Sequence, residues 1–289
     1  MIDIRGKSAL VTGANRGLRH AFAEALLEAG AGRIYAGARD PSTVKDPRFT
    51  PVRLDVTKAE DVAAAAAGCG DVQIIINNAG AMLATPVLAE SSEDALRREM
   101  EVNVFGMLAM ARAFAPVLDS HGGGVIVNML SVVSWYVYPF NGTYCVTKHA
   151  ALALTDGLRI QLRRQGIRVM GVYAGFIDTD MGAALSSGPK TPPSQVARKT
   201  VEGILSGLTM SRPTNGRRVY GRPADKIRRG CRPRCRPAGT RNMPNIGADR
   251  LSPLSPRMRR NALFPFRFSC SRIRAPRAAT QPPSRLEPW

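Results

Sequence analysis

The sequence predicts an α/β domain built on a doubly wound parallel sheet covered by helices on both faces. Three observations carry that expectation. Short apolar runs and longer segments of helical period follow one another from the N-terminus to about residue 208. The apolar runs are nearly continuous, as strands buried on both faces require. The helical segments separate them, which marks strand–helix–strand units rather than an antiparallel meander.

The first strand is Ser8 to Thr12, followed by a helix from Leu18 to Ala29 that ends at Gly30. Ile34–Ala38 and Pro51–Asp55 read as the second and third strands, and the alanine-rich stretch Ala59–Ala67 as a short helix. Val72–Asn77 is a buried strand, and one long helix is expected from Glu93 to Leu118. Val125–Met129 is the next strand and Thr143–Arg164 the next helix. Arg168–Tyr173 is a further strand, and Pro193–Leu208 can form one more helix. The pattern is that of a Rossmann-type domain, in which ligands bind beyond the carboxyl ends of the strands.

The pattern stops near Ser211. Residues 1–210 hold 21 Lys and Arg against 19 Asp and Glu, whereas residues 211–289 hold 20 against 3. The net charge of +19 therefore describes the tail and not the domain. Twelve of the 21 prolines also fall in the tail, where no period of 2 or 3.6 survives and no packed core is expected. The division is residues 1–210 as one Rossmann-type domain and 211–289 as an Arg/Pro-rich tail. The favoured reading of the tail is a disordered segment or a frame-shifted translation of a GC-rich gene. A basic nucleic-acid-binding arm is an alternative. So is a zinc site at Cys231 and Cys235, which lacks a second ligand pair at suitable spacing. Five scattered cysteines argue against a disulfide-stapled secreted chain. No apolar stretch of signal-peptide type opens the chain, and no uninterrupted apolar run reaches membrane-spanning length. A cytoplasmic protein without a membrane partner is the expectation.

The chemistry is concentrated in Tyr144 and Lys148, four residues apart on one helix face, with Ser131 thirteen residues upstream of the tyrosine. A free phenol titrates near pH ~10, and a nearby cation favours the phenolate. A shift of roughly three units needs about 4 kcal/mol of differential stabilisation, which a lysine and a cationic cofactor can supply in a dry site. A tyrosine so tuned passes a proton to or from a carbonyl or alcohol oxygen. Upstream, Gly13-Ala14-Asn15-Arg16-Gly17-Leu18 links the first strand to the first helix. Its glycines let backbone approach a pyrophosphate at the helix N-terminus. Arg39 follows the second strand, where an arginine accommodates a ribose 2′-phosphate and an acid would bind the 2′-hydroxyl. Arg16 is a second candidate cation and Asp40 comes one position late, so NADP(H) is favoured over NAD(H). Asp55, with Val56, is placed to meet the adenine. Asn77-Asn78-Ala79-Gly80 ends the fourth strand, where the asparagines can tie strand ends and Ala-Gly leaves room for a ribose. Asn103, a poor helix former inside the long helix, points to a water or ligand contact.

In that order and spacing, these residues resemble the short-chain dehydrogenase/reductase family, in its branch with a TGxxxGxG cofactor loop. The resemblance covers residues about 5 to 208. It implies that Tyr144 is the acid/base, and that Lys148 lowers the tyrosine pKa and binds the nicotinamide ribose. It implies that Ser131 polarises the substrate oxygen and that Asn103 holds a water in a proton relay through its helix. Ala174-Gly175-Phe176-Ile177-Asp178-Thr179 matches the family's PGxxxT segment, so Ile177 and Thr179 would contact the nicotinamide end. The implied activity is hydride transfer between NADP(H) and a carbonyl or alcohol, in a homodimer or homotetramer built through the two long helices.

Three departures stand out. Arg19 replaces the third loop glycine, Ala174 replaces a proline, and the tail replaces the family's last strand and helix. They keep open a catalytically impaired cofactor-binding scaffold, alongside nucleic-acid association through the tail. Trp135, Tyr136, Tyr138 and Phe140 are expected near the pocket wall, and Met181–Pro193 is the expected substrate loop.

Overall fold

The computed structural model describes residues 3–13, 17–179 and 190–211. Asn15, Arg16, most of the expected substrate loop and the tail from residue 212 lie outside those residues. The described chain forms a seven-stranded sheet of order β3-β2-β1-β4-β5-β6-β7, parallel throughout. Its strands are β1 (Ser8–Val11), β2 (Arg33–Ala38), β3 (Thr50–Arg53), β4 (Val72–Asn77), β5 (Gly124–Ser131), β6 (Ile167–Ala174) and β7 (Met210–Ser211). The strand order reverses between β1 and β4, the switch point at which such sheets open a ligand crevice.

Strand sequences are continuously apolar because each face has its own helical cover. Ile74 and Ile76 lie in one buried cluster with Ala9, Val11, Val125 and Val127, under α1 (Leu18–Glu28) and α6 (Pro193–Leu205). Ile75 lies in the opposite cluster with Leu10 and Ile126, under α2 (Ala59–Gly68), α4 (Gly106–Ser120) and α5 (Gly142–Gln161). Each fully buried isoleucine is worth about 1.5–3 kcal/mol of removal from water, so the three in a row hold β4 at the centre of the sheet.

The long helix differs from its expectation in one respect. It runs as α3 (Ser92–Met100), a π turn over Glu101–Phe105 that holds Asn103, and then α4. The joined run Ser92–Ser120 is long and apolar enough to cross a membrane by length and composition, although no such segment was expected. The apolarity is used in the core, where Met110, Phe114 and Leu118 are fully buried. At the C-terminal side, Met210 and Ser211 pair in parallel with Gly171 and Val172 of β6. The first two residues of a last strand are thus in place at the point where the expected domain ends.

Candidate active site

The carboxyl ends of the strands surround a cleft of about 750 Å³. The glycine loop forms one wall. Thr12 Oγ1 accepts the backbone N–H of Asn78 (3.1 Å) and of Ala79 (3.0 Å), and Asn78 Nδ2 donates to the Thr12 carbonyl (3.0 Å). These bonds draw the ends of β1 and β4 together. A Cβ on Gly13 would stand 2.5 Å from the Ala79 Cα, and Gly13 has φ +75°, so only glycine fits there. Gly17 also has positive φ, +61°, and a Cβ there would meet Thr179 at 3.1 Å. Gly13, Gly17, Leu18, Asn78, Ala79 and Gly80 all line the cleft.

Arg39, Asp55 and Val56 line the same cleft beyond β2 and β3. Asp40 is occupied elsewhere: its Oδ1 accepts the Ser42 N–H (3.0 Å) and caps a short 3-10 turn. Asp55 Oδ1 accepts from Thr57 N (3.0 Å) and Oγ1 (2.7 Å), and those bonds with the Arg39 charge outweigh burial and hold its carboxyl below the usual range. Ile177 and Thr179 complete the opposite wall. The donor set thus fits a dinucleotide: a glycine cradle at a helix N-terminus, an exposed guanidinium at one end and a buried ammonium at the other.

Ser131, Tyr144 and Lys148 meet at that second end. Ser131 ends β5, where its Oγ donates to the Ala174 carbonyl of β6 (3.3 Å) and accepts the Val133 N–H (3.3 Å). Tyr144 lies in the first turn of α5, with the Lys148 Nζ 5.4 Å from its ring centroid. Lys148 is 4% exposed and its Nζ donates to the Met129 carbonyl (2.8 Å). The electrostatics depart from expectation. Tyr144 touches the cleft yet is closely surrounded by protein, and that desolvation raises its phenol above the ordinary range. The nearby Cys145 and Glu99 add to the rise, against a lowering by the Ser131 hydrogen bond. Burial brings Lys148 down to about 8, partly countered by Glu99. Burial sets the sign of both shifts, because each group loses the water that favours its charged form.

Asn103 sits in the π turn between α3 and α4. It is buried and absent from the cleft wall; its Oδ1 accepts the Ala81 N–H (2.8 Å), and its Nδ2 donates to the Ala81 carbonyl (2.8 Å) and to Thr147 Oγ1 (3.0 Å). Its side chain is a clamp between the π turn, the segment after β4 and α5. Asn77 is likewise a sheet tie, donating to Asn128 Oδ1 (2.9 Å). Of the four aromatics, Tyr136 and Tyr138 line the cleft. Trp135 instead stacks on Tyr173 at 4.0 Å, and Phe140 is 68% exposed.

Two buried charges stand out. Arg19, in the first turn of α1, is 5% exposed, and its Nη1 has no hydrogen-bond partner. Burial lowers its pKa to about 10. Glu99, fully buried in the last turn of α3, was missed by the sequence reading. The signal was there: Ala95, Glu99 and Asn103 are spaced by four, so the carboxylate shares the inward stripe.

The family model for short chain dehydrogenase matches residues 7–190, more than half of the chain. A short chain dehydrogenase from Burkholderia cenocepacia, solved in complex with NADP, matches with TM-score 0.70 and 38% identity, covering 79% of this chain and 94% of that one. A short chain dehydrogenase/reductase from Burkholderia phymatum, solved in complex with NAD, matches with TM-score 0.65 and 25% identity, covering 74% and 90%. Short chain dehydrogenase tazN of Aspergillus terreus is 31% identical over 210 residues, 67% of this chain, and the match spans 45% of that relative's length.

Proposed function

The chain belongs to the short-chain dehydrogenase/reductase family, and on that premise we propose that it transfers a hydride between NADP(H) and a carbonyl or alcohol substrate, with Tyr144 as the acid/base. The observation that carries this reading is the convergence of Ser131, Tyr144 and Lys148 on the cleft that the glycine cradle opens. A bound nicotinamide supplies or accepts the hydride. In the reducing direction Tyr144 gives its proton to the substrate oxygen, and the Ser131 hydroxyl donates a hydrogen bond to the charge developing there. Lys148, one turn away, stabilises the phenolate that remains. A phenol held protonated by burial suits the donor role, because it keeps its proton until negative charge builds on the substrate oxygen.

Arg39 on the cleft, with Asp40 committed to its own turn, supports the 2′-phosphate form of the cofactor. The solved relatives bind NADP in one case and NAD in another. Fluorescence titration with NADPH and NADH decides: we expect about tenfold tighter NADPH binding, lost in Arg39→Ala. Binding of neither at millimolar concentration overturns the reading. The unpartnered Arg19 favours one second reading, a cofactor-binding scaffold impaired in turnover. It predicts NADPH binding without oxidation of the cofactor across a carbonyl panel. We further propose a cytoplasmic homodimer or homotetramer, the exposed Phe105 and Val146 of the long helices supplying apolar contact.

A further inference from the structure

Lys148 and Glu99 are the buried cation and the buried carboxylate of one neighbourhood, yet they form no direct ion pair. Lys148 Nζ holds the Met129 carbonyl at 2.8 Å. Glu99 Oε1 accepts the Leu83 N–H at 2.7 Å, and its fully buried Oε2 has no partner. A carboxylate removed from water and half unsatisfied is costly unless a positive charge lies within reach. Asn103, one turn beyond Glu99, donates to Thr147 Oγ1 (3.0 Å) beside Lys148, and this tie between the packed helices places the ammonium in the neighbourhood of the carboxylate.

We propose that Glu99 is a positioning residue with two separable roles: one oxygen clamps the Leu83 N–H, and the carboxylate is the counter-charge of the buried Lys148 ammonium in a dry cleft wall. The proposal rests on the reading of Lys148 as part of the hydride-transfer site. The clamp acts with Asn103, one turn further on, which grips both polar backbone atoms of Ala81. Together they fix residues 81–83, of which Ala81 and Met82 line the cleft. The charge acts on Lys148 and also on Tyr144, favouring the protonated form of both. The other titratable or charged groups facing this neighbourhood are Cys145 on α5, Tyr136 and Tyr138 before it, and Asp178 after β6. β5 offers only the Met129 carbonyl and the Ser131 hydroxyl.

The two roles come apart by substitution. Glu99→Gln keeps an acceptor for Leu83 and removes the charge. Glu99→Met removes both the charge and the acceptor for the Leu83 N–H. Glu99→Asp keeps the charge on a shorter side chain that releases Leu83. The test is a pH titration of lysine side-chain NMR signals in the cofactor-free full chain, with Lys148 assigned by loss of its signal in Lys148→Met. We expect the Lys148 midpoint to fall by about one pH unit in Glu99→Gln and Glu99→Met, and to stay near wild type in Glu99→Asp. Where turnover is measurable, both limbs of its pH profile move to lower pH in the uncharged variants, a shift that a merely structural role would not produce. An unmoved Lys148 midpoint in both uncharged variants overturns the proposal. The titration needs no turnover, so a moving midpoint in a chain that oxidises no NADPH would refute the hydride-transfer reading and leave this one standing.

Discussion

Arg19 poses the sharpest question at the residue scale. A guanidinium that is 5% exposed, with an unpartnered Nη1 in the first turn of a helix, suffers both burial and the positive end of the helix dipole. Arg19→Gly removes both penalties and adds about 1 kcal/mol of glycine cost in a helix. We expect a net stabilisation of roughly 1 kcal/mol, read as a higher midpoint in urea; a lower midpoint would mean that the arginine packs productively. Lys148 gives a pH dependence of definite sign. Its folded pKa of about 8 lies below the ordinary 10.5, so between those values the unfolded chain binds the extra proton and stability rises with pH. Urea unfolding from pH ~8 to ~10 should show wild type gaining on Lys148→Met, which lacks the titrating group. Parallel curves would contradict the buried ammonium. Tyr144, Lys148 and Ser131 were legible in the sequence because their spacing on a helix and after a strand is covalent. The direction of the Tyr144 shift was not, because it depends on how much protein surrounds the ring, and no spacing encodes that.

At the scale of elements, the strands were legible because burial on both faces writes an unbroken apolar run such as Ile74-Ile75-Ile76. The π turn was not. Asn103 announced a disturbance of the helix, but its partners, Ala81 and Thr147, are 22 and 44 residues away in sequence. The same distance hid the choice among the aromatics: Trp135 turned to Tyr173 on β6 rather than to the cleft. Asn103→Ala should orphan both backbone atoms of Ala81 and cost about 1–3 kcal/mol in urea unfolding, with weakened NADPH binding as the segment lining the cleft loosens. An unchanged midpoint would show that the clamp is dispensable.

For the whole molecule, a near-neutral domain carries the fold and the site, while the charge lies in the tail. The outer faces of the long helices leave Phe105 50% and Val146 45% exposed. The proposed homo-oligomer predicts that Phe105→Glu shifts the light-scattering mass toward the monomer; a wild-type chain already monomeric contradicts it. The central claim remains the proton at Tyr144. Its most direct test is NADPH oxidation by wild type and Tyr144→Phe on a carbonyl panel, with cofactor affinity measured in parallel. The account predicts a loss of turnover of at least about 10²-fold in Tyr144→Phe with NADPH affinity nearly unchanged; turnover retained without the phenol would contradict it.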